Sequence, residues 1–134
     1  MTHMKKNILV VDDSALMRRV MCDIINSDSK FQATDYCRDG LEAYEKLKHT
    51  SYDGVVLDVN MPRMDGLQLL EKLQKEGIRA NVVMVSTLTD SREADVTILA
   101  MERGAIDFVA KPTNIIEAKG EAFKRQLLGV LDAV

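Results

Sequence analysis

Three aspartates, a serine and a lysine stand where aliphatic runs of the chain break off. Asp12 and Asp13 follow Ile8–Val11, Asp58 follows Gly54–Leu57, Ser86 follows Val82–Val85, and Lys111-Pro112 comes shortly after Ile106–Val109. If these runs are strands of one parallel sheet, the five side chains converge on one edge of it. Three carboxylates placed close together repel one another, so the arrangement makes sense only with a cation. Oxygen-only donors favour a hard ion, and Mg2+ (with Mn2+ as a substitute) keeps several waters while using few carboxylates and a phosphate oxygen. Such an ion and the Lys111 ammonium would leave the site near neutral. A phosphoryl group on Asp58 would then meet a metal, an ammonium and a hydroxyl, which is the electrostatic stabilisation that phosphoryl transfer needs. Taken singly, each residue has a plainer explanation. A strand-end aspartate is usually a turn or cap residue, a lysine before proline is usually solvated, and a serine after a strand usually caps a helix. Their joint occurrence at four strand ends outweighs those explanations.

The elements that must position these residues alternate along the chain. Ile8–Val11, Gly54–Leu57 and Val82–Val85 are almost continuously aliphatic, as expected of strands buried on both faces of a parallel sheet. Gln32–Cys37 alternates, which suits a strand nearer an edge. Helical stripes lie between the runs. Met17, Val20, Met21, Ile24 and Ile25 follow a capping Ser14; Leu41, Tyr44 and Leu47 follow Asp39-Gly40. Leu67, Leu70 and Leu73 follow Asp65-Gly66 and stop at Gly77, while Val96, Leu99 and Met101 precede Gly104, a helix C-terminal glycine. Phe123, Leu127, Val130, Leu131 and Val134 make the last stripe. This order predicts an α/β fold, a doubly wound five-stranded parallel sheet with five helices, whose ligands sit at the carboxyl ends of the strands. Gly120 and Gly129 fall in the last helix at about 1 kcal/mol each against alanine, so that helix should depend most on docking.

A chain of 134 residues suits one domain. Met1–Lys6 is short and polar, and Thr2-His3-Met4 reads as a cloning remnant, so the domain is expected to run from 7 to 134. The 18 basic side chains against 21 acidic ones give a net charge of -3, with no positive surplus for a nucleic-acid backbone. No apolar run approaches the roughly 18 residues of a membrane span, and no secretory segment follows the start. Neither nucleic-acid binding nor membrane insertion is expected. Cys22 and Cys37 have no partner motif and read as buried free thiols, and His3 and His49 lack metal-ligand spacing. A reducing cytoplasm is the expected location.

Together the motifs resemble the receiver domain of two-component response regulators. The residues that carry the resemblance are Asp12-Asp13-Ser14, Asp58 with Met61-Pro62-Arg63-Met64-Asp65-Gly66, Ser86, and Lys111-Pro112. It covers the chain from about Asn7 to the end and implies the flavodoxin-like, CheY-like fold with strand order 2-1-3-4-5. It also implies that Asp58 is phosphorylated by a histidine kinase. Asp13 and Asp58 would bind Mg2+ directly, Asp12 would hold a metal-bound water, and Asn60 would add its backbone carbonyl. Ser86 and Lys111 would grip the phosphoryl oxygens, and Phe108 would be the aromatic that swings inward on activation. A cis Lys111–Pro112 bond is implied as well. For the chain itself, the only chemistry implied is its own phosphorylation and dephosphorylation.

A narrower resemblance rests on Asp12-Asp13-Ser14-Ala15-Leu16-Met17-Arg18, Val85-Ser86-Thr87-Leu88-Thr89 and Gly104-Ala105-Ile106-Asp107-Phe108-Val109-Ala110-Lys111-Pro112. These are similar to the regulatory domain of the chemotaxis protein-glutamate methylesterase. That implies a chemotaxis-type histidine kinase as phosphodonor and a C-terminal esterase and deamidase domain that acts on chemoreceptors. The esterase domain is expected to lie outside this chain, which has no Gly-x-Ser-x-Gly elbow and no histidine placed for a serine triad. A stand-alone chemotaxis receiver and the receiver of a two-component transcription factor are the alternatives within the class. A haloacid-dehalogenase-type phosphatase would need Asp-x-Asp after the first strand, whereas Asp12 and Asp13 are adjacent. A nucleotide-binding module would need a glycine-rich loop there, and Asp12-Asp13-Ser14 has no glycine and the wrong charge.

Overall fold

The computed structural model describes residues 4–87 and 93–134; Thr2-His3 of the N-terminal segment and Leu88-Thr89 of the methylesterase-like stretch lie outside the described residues. Strands β1 (Lys6–Val11), β2 (Phe31–Cys37), β3 (Gly54–Leu57), β4 (Val82–Ser86) and β5 (Ala105–Ala110) alternate with helices α1 (Ala15–Asn26), α2 (Gly40–His49), α3 (Gly66–Lys75) and α4 (Glu93–Glu102). Two helices follow β5, a one-turn α5 (Ile115–Ala118) and α6 (Glu121–Leu131). The strands form one sheet in the order β2-β1-β3-β4-β5 with every pair parallel, as expected. Each of the five aliphatic runs lies inside an observed strand.

The aliphatic runs are explained by what covers the sheet. Successive side chains of a strand point to opposite faces. Ile8 and Val10 of β1, Val56 of β3 and Val83 and Val85 of β4 join Val20, Met21 and Ile25 of α1 and Phe123, Leu127 and Leu131 of α6 in one core. Leu9 and Val11, Val55 and Leu57, and Val82 and Met84 join Ala43, Leu47, Leu69, Leu73 and Ala100 of α2–α4 in the other. Both faces of the central strands are therefore apolar. The edge strand β2 is only partly covered, and there the sequence alternates.

Three expectations need correction. Lys6 belongs to β1 rather than to a tail: its amide donates to the Lys30 carbonyl at 2.9 Å, it pairs with Phe31, and its ammonium reaches the Val134 carbonyl. The last helical segment is two helices, which makes six among the described residues in place of five. Lys119 and Gly120 turn their amides back onto the carbonyls of Ile115 and Glu117, and Gly120 then takes an extended ψ of 166 as the N-cap of α6. Of the two glycines, only Gly129 is a helix-interior residue. Finally, no cis peptide occurs among the described residues, so the Lys111–Pro112 bond is trans, the lower-energy form of such a bond.

Candidate functional site

Each acidic residue of the site is placed by its neighbours in sequence. Ser14 caps α1 with its hydroxyl on the Met17 amide at 3.2 Å, and its own amide donates to Asp12 Oδ1 at 2.8 Å. That turn fixes Asp12 and Asp13 just beyond β1. One guanidinium nitrogen of Arg18 donates to the Asp12 carbonyl at 2.8 Å, and its side chain lies over the Tyr36 ring at 5.6 Å. Asp58 continues β3, with its amide on the Val11 carbonyl at 2.9 Å. The next helix starts tight against it: a Cβ on Gly66 would lie 2.2 Å from the Asp58 carbonyl oxygen, so only glycine fits there.

The predicted residues do come together. One carboxylate oxygen from each of Asp12, Asp13 and Asp58 lies within 4.8 Å of the others. Asp12 is fully buried and Asp58 is 3% exposed, whereas Asp13 opens to solvent. The Ser86 hydroxyl donates to Asp58 Oδ1 at 2.9 Å, and the Lys111 ammonium donates to Asp58 Oδ2 at 3.1 Å. Lys111 also lies 2.7 Å from Asp12 Oδ2, and the Lys111 amide on the Ser86 carbonyl at 3.0 Å joins the ends of β4 and β5. Asn60 is exposed in the loop two residues past Asp58. Phe108 stands apart from this cluster, half-buried against the core beneath α2–α4.

Burial raises the pKa of Asp58, and the Asp12 charge raises it further; Lys111 and the Ser86 hydroxyl pull the other way without cancelling the rise. For Lys111, burial works to lower the pKa, but the nearby Asp12 and Asp58 carboxylates outweigh it and the net shift is upward. One ammonium therefore faces three carboxylates. Asp12 Oδ2 is buried and, for all its nearness to Lys111, has no partner with hydrogen-bond geometry. The single Lys111 ammonium is shared between Asp12 and Asp58, so the cluster keeps excess negative charge that a further cation would offset. The donor set is all oxygen, so the residues present fit a hard divalent cation.

A second cluster beside the site was not read from the sequence. Asp39 caps α2, accepting from the Glu42 amide at 2.9 Å, and its other oxygen takes two nitrogens of Arg63 at 2.8 and 2.7 Å. The cap was visible in Asp39-Gly40, but a pairing across 24 positions leaves no local signal.

A sheet of this order with an acidic cluster at its carboxyl edge defines a phosphoacceptor receiver, and the chain belongs to the response regulator receiver domain family, whose pattern matches residues 8–120. Within that family it is similar to the receivers of protein-glutamate methylesterase/protein-glutamine glutaminases. It is 45% identical to the enzyme of Pyrococcus horikoshii over 92% of this chain and 33% of that protein. Against the enzyme of Escherichia coli the identity is 50%, over 81% of this chain and 30% of the other. The chain thus spans about a third of the length of these curated relatives. Among solved structures, the response regulator domain of Thermotoga maritima CheB matches with a TM-score of 0.83 and 35% identity, over 97% of this chain and 96% of that one. The CheX-CheY-BeF3-Mg2+ complex from Borrelia burgdorferi matches at a TM-score of 0.72 and 30% identity, over 88% and 89%.

Proposed function

We propose that Asp58 accepts a phosphoryl group from a histidine kinase of a chemotaxis system, with Mg2+, and thereby controls a C-terminal methylesterase and deamidase that acts on chemoreceptors. The observation that carries the chemical part is the environment of the Asp58 carboxylate: both oxygens are engaged, one by Ser86 and one by Lys111, with Asp12 and Asp13 alongside. An Asp58 oxygen attacks phosphorus, an O–P bond forms, and the N–P bond of the phosphohistidine breaks with its electron pair returning to the imidazole. Lys111 would hold one phosphoryl oxygen and Ser86 another. Asp13 and Asp58 would ligate Mg2+, Asp12 would hold one of its waters, and the Asn60 carbonyl would complete the protein's share. The ion supplies charge neutralisation for the transferred group. The Mg2+ of the Borrelia burgdorferi complex supports this reading.

The phosphoryl group raises the charge on the Asp58 side chain from one negative to about two and adds strong acceptors. Ser86 is then drawn toward it, and Phe108 turns into the space that Ser86 leaves. This reshapes the surface around β5 and α4. The similarity to methylesterase receivers supports the downstream half of the reading. Incubation with acetyl phosphate and Mg2+ should add the mass of one phosphoryl group to the chain and none to Asp58→Asn. Labelling retained in that variant would overturn the site.

A further inference from the structure

The loop between β3 and α3 begins at Asp58 and carries Asn60. It contains Arg63, the one non-glycine residue with a positive φ among the described residues, at 65. Left-handed backbone disfavours residues with a Cβ, and a residue kept there is held by its surroundings. Here the hold is visible. Arg63 is more than half exposed, yet its Nε and a terminal nitrogen converge on one oxygen of Asp39, which is buried at the start of α2. The next residue is gripped too: the Met64 carbonyl accepts from the Gly40 amide at 2.9 Å, and a Cβ on Gly40 would come within 2.4 Å of that carbonyl oxygen. At the far end the Gly66 amide donates to the Val59 carbonyl at 2.8 Å. The loop is therefore tied to the start of α2 in its middle and closed on itself at its ends, and the start of α2 supplies a charge and an amide for the purpose.

We propose that the Arg63–Asp39 ion pair is a strap that fixes the shape of the β3–α3 loop that begins at Asp58, so that these two residues set the acidic pocket's affinity for a divalent cation. The inference rests on the reading of the pocket as a Mg2+ site. Arg63 and Asp39 are positioning residues in it. They act through the backbone they hold, as the outer partners of metal ligands generally do.

The variants can be chosen so that folding survives. Arg63→Gly removes the grip but relieves the left-handed backbone, and Asp39→Asn keeps a side-chain oxygen for the α2 cap while removing the charge. Titration calorimetry of the 134-residue chain with MgCl2 should show both binding about 10-fold more weakly than the parent, with Arg63→Lys between these two and the parent. The melting temperature of Arg63→Gly should stay at or above that of the parent. Amide hydrogen exchange should quicken at Gly40 and Gly66 in both variants. Parent-like Mg2+ affinity in Arg63→Gly and Asp39→Asn overturns the proposal, as does a loss that only follows the melting temperature. An absence of saturable Mg2+ binding by the parent chain would instead sink the cation reading. The strap is then judged by exchange alone, and unchanged protection at Gly40 and Gly66 overturns it.

Discussion

Asp58 and Asp12 are two carboxylates in one buried space, with Lys111 between them. The pKa of Asp58 is raised above its ordinary 3.8, mainly by burial and then by Asp12. For a carboxyl group raised on folding, the stability is fully present below the unfolded value and is lost as the pH climbs through the folded one. Asp58→Asn should therefore be the more stable protein at neutral pH, by about 1 kcal/mol, with the advantage fading as the pH falls through the raised pKa and gone below 3.8. Urea unfolding across that range reads it directly, and an equal advantage at all pH values would contradict the charge explanation. Lys111 has the opposite part, because its raised pKa means a contribution present at neutral pH and lost only above 10.5. Lys111→Ala leaves buried carboxylates without their counter-charge and should cost about 3 kcal/mol, partly restored by Mg2+. The same variant should bind Mg2+ yet fail to respond to phosphorylation, a split visible in NMR shifts of residues 86–111.

The helices differ in how they are secured. α1, α2, α3 and α5 begin on side-chain caps from Ser14, Asp39, Asp65 and Asn114, and Asp65 with Gln68 forms a reciprocal capping box. α6 has Gly120 at its N-cap, no side-chain cap, and Gly129 within its last turns. It relies on docking through Phe123, Leu127 and Leu131. A Cβ on Gly129 meets nothing within 4 Å, so Gly129→Ala should stabilise the protein by about 1 kcal/mol, measurable as a raised denaturation midpoint. Gly66→Ala should do the reverse, because its Cβ would meet the Asp58 carbonyl.

At the scale of the whole molecule, one sheet is shared by two cores, and α6 closes the first of them. The last residue returns to the sheet, where the Val134 side chain packs on Gly54 and Ile8. Removing residues 121–134 would uncover three buried side chains worth roughly 2 kcal/mol each, against a typical domain stability of about 5–15 kcal/mol. That truncation should abolish cooperative unfolding in a thermal melt. The site, at the carboxyl edge of β1, β3, β4 and β5, draws its residues from four separate strand ends. No fragment of the chain would carry it.

The strands, the first four helices and the pocket residues could all be read from residue order. Aliphatic runs, caps and glycines are local signals, and acidic residues at strand ends inherit their meeting point from the parallel topology. The expected pattern failed after β5, where Lys119 and Gly120 separate two helices, because a glycine looks alike in a helix interior and at a cap. The trans Lys111–Pro112 bond was likewise settled by the fold and not by residue type. Tertiary structure alone decided the depth of burial that raises Asp58, the sharing of Lys111 between Asp12 and Asp58, and the grip of Asp39 on Arg63. Each depends on distances between residues far apart in the chain, and such distances exist only once the sheet is assembled.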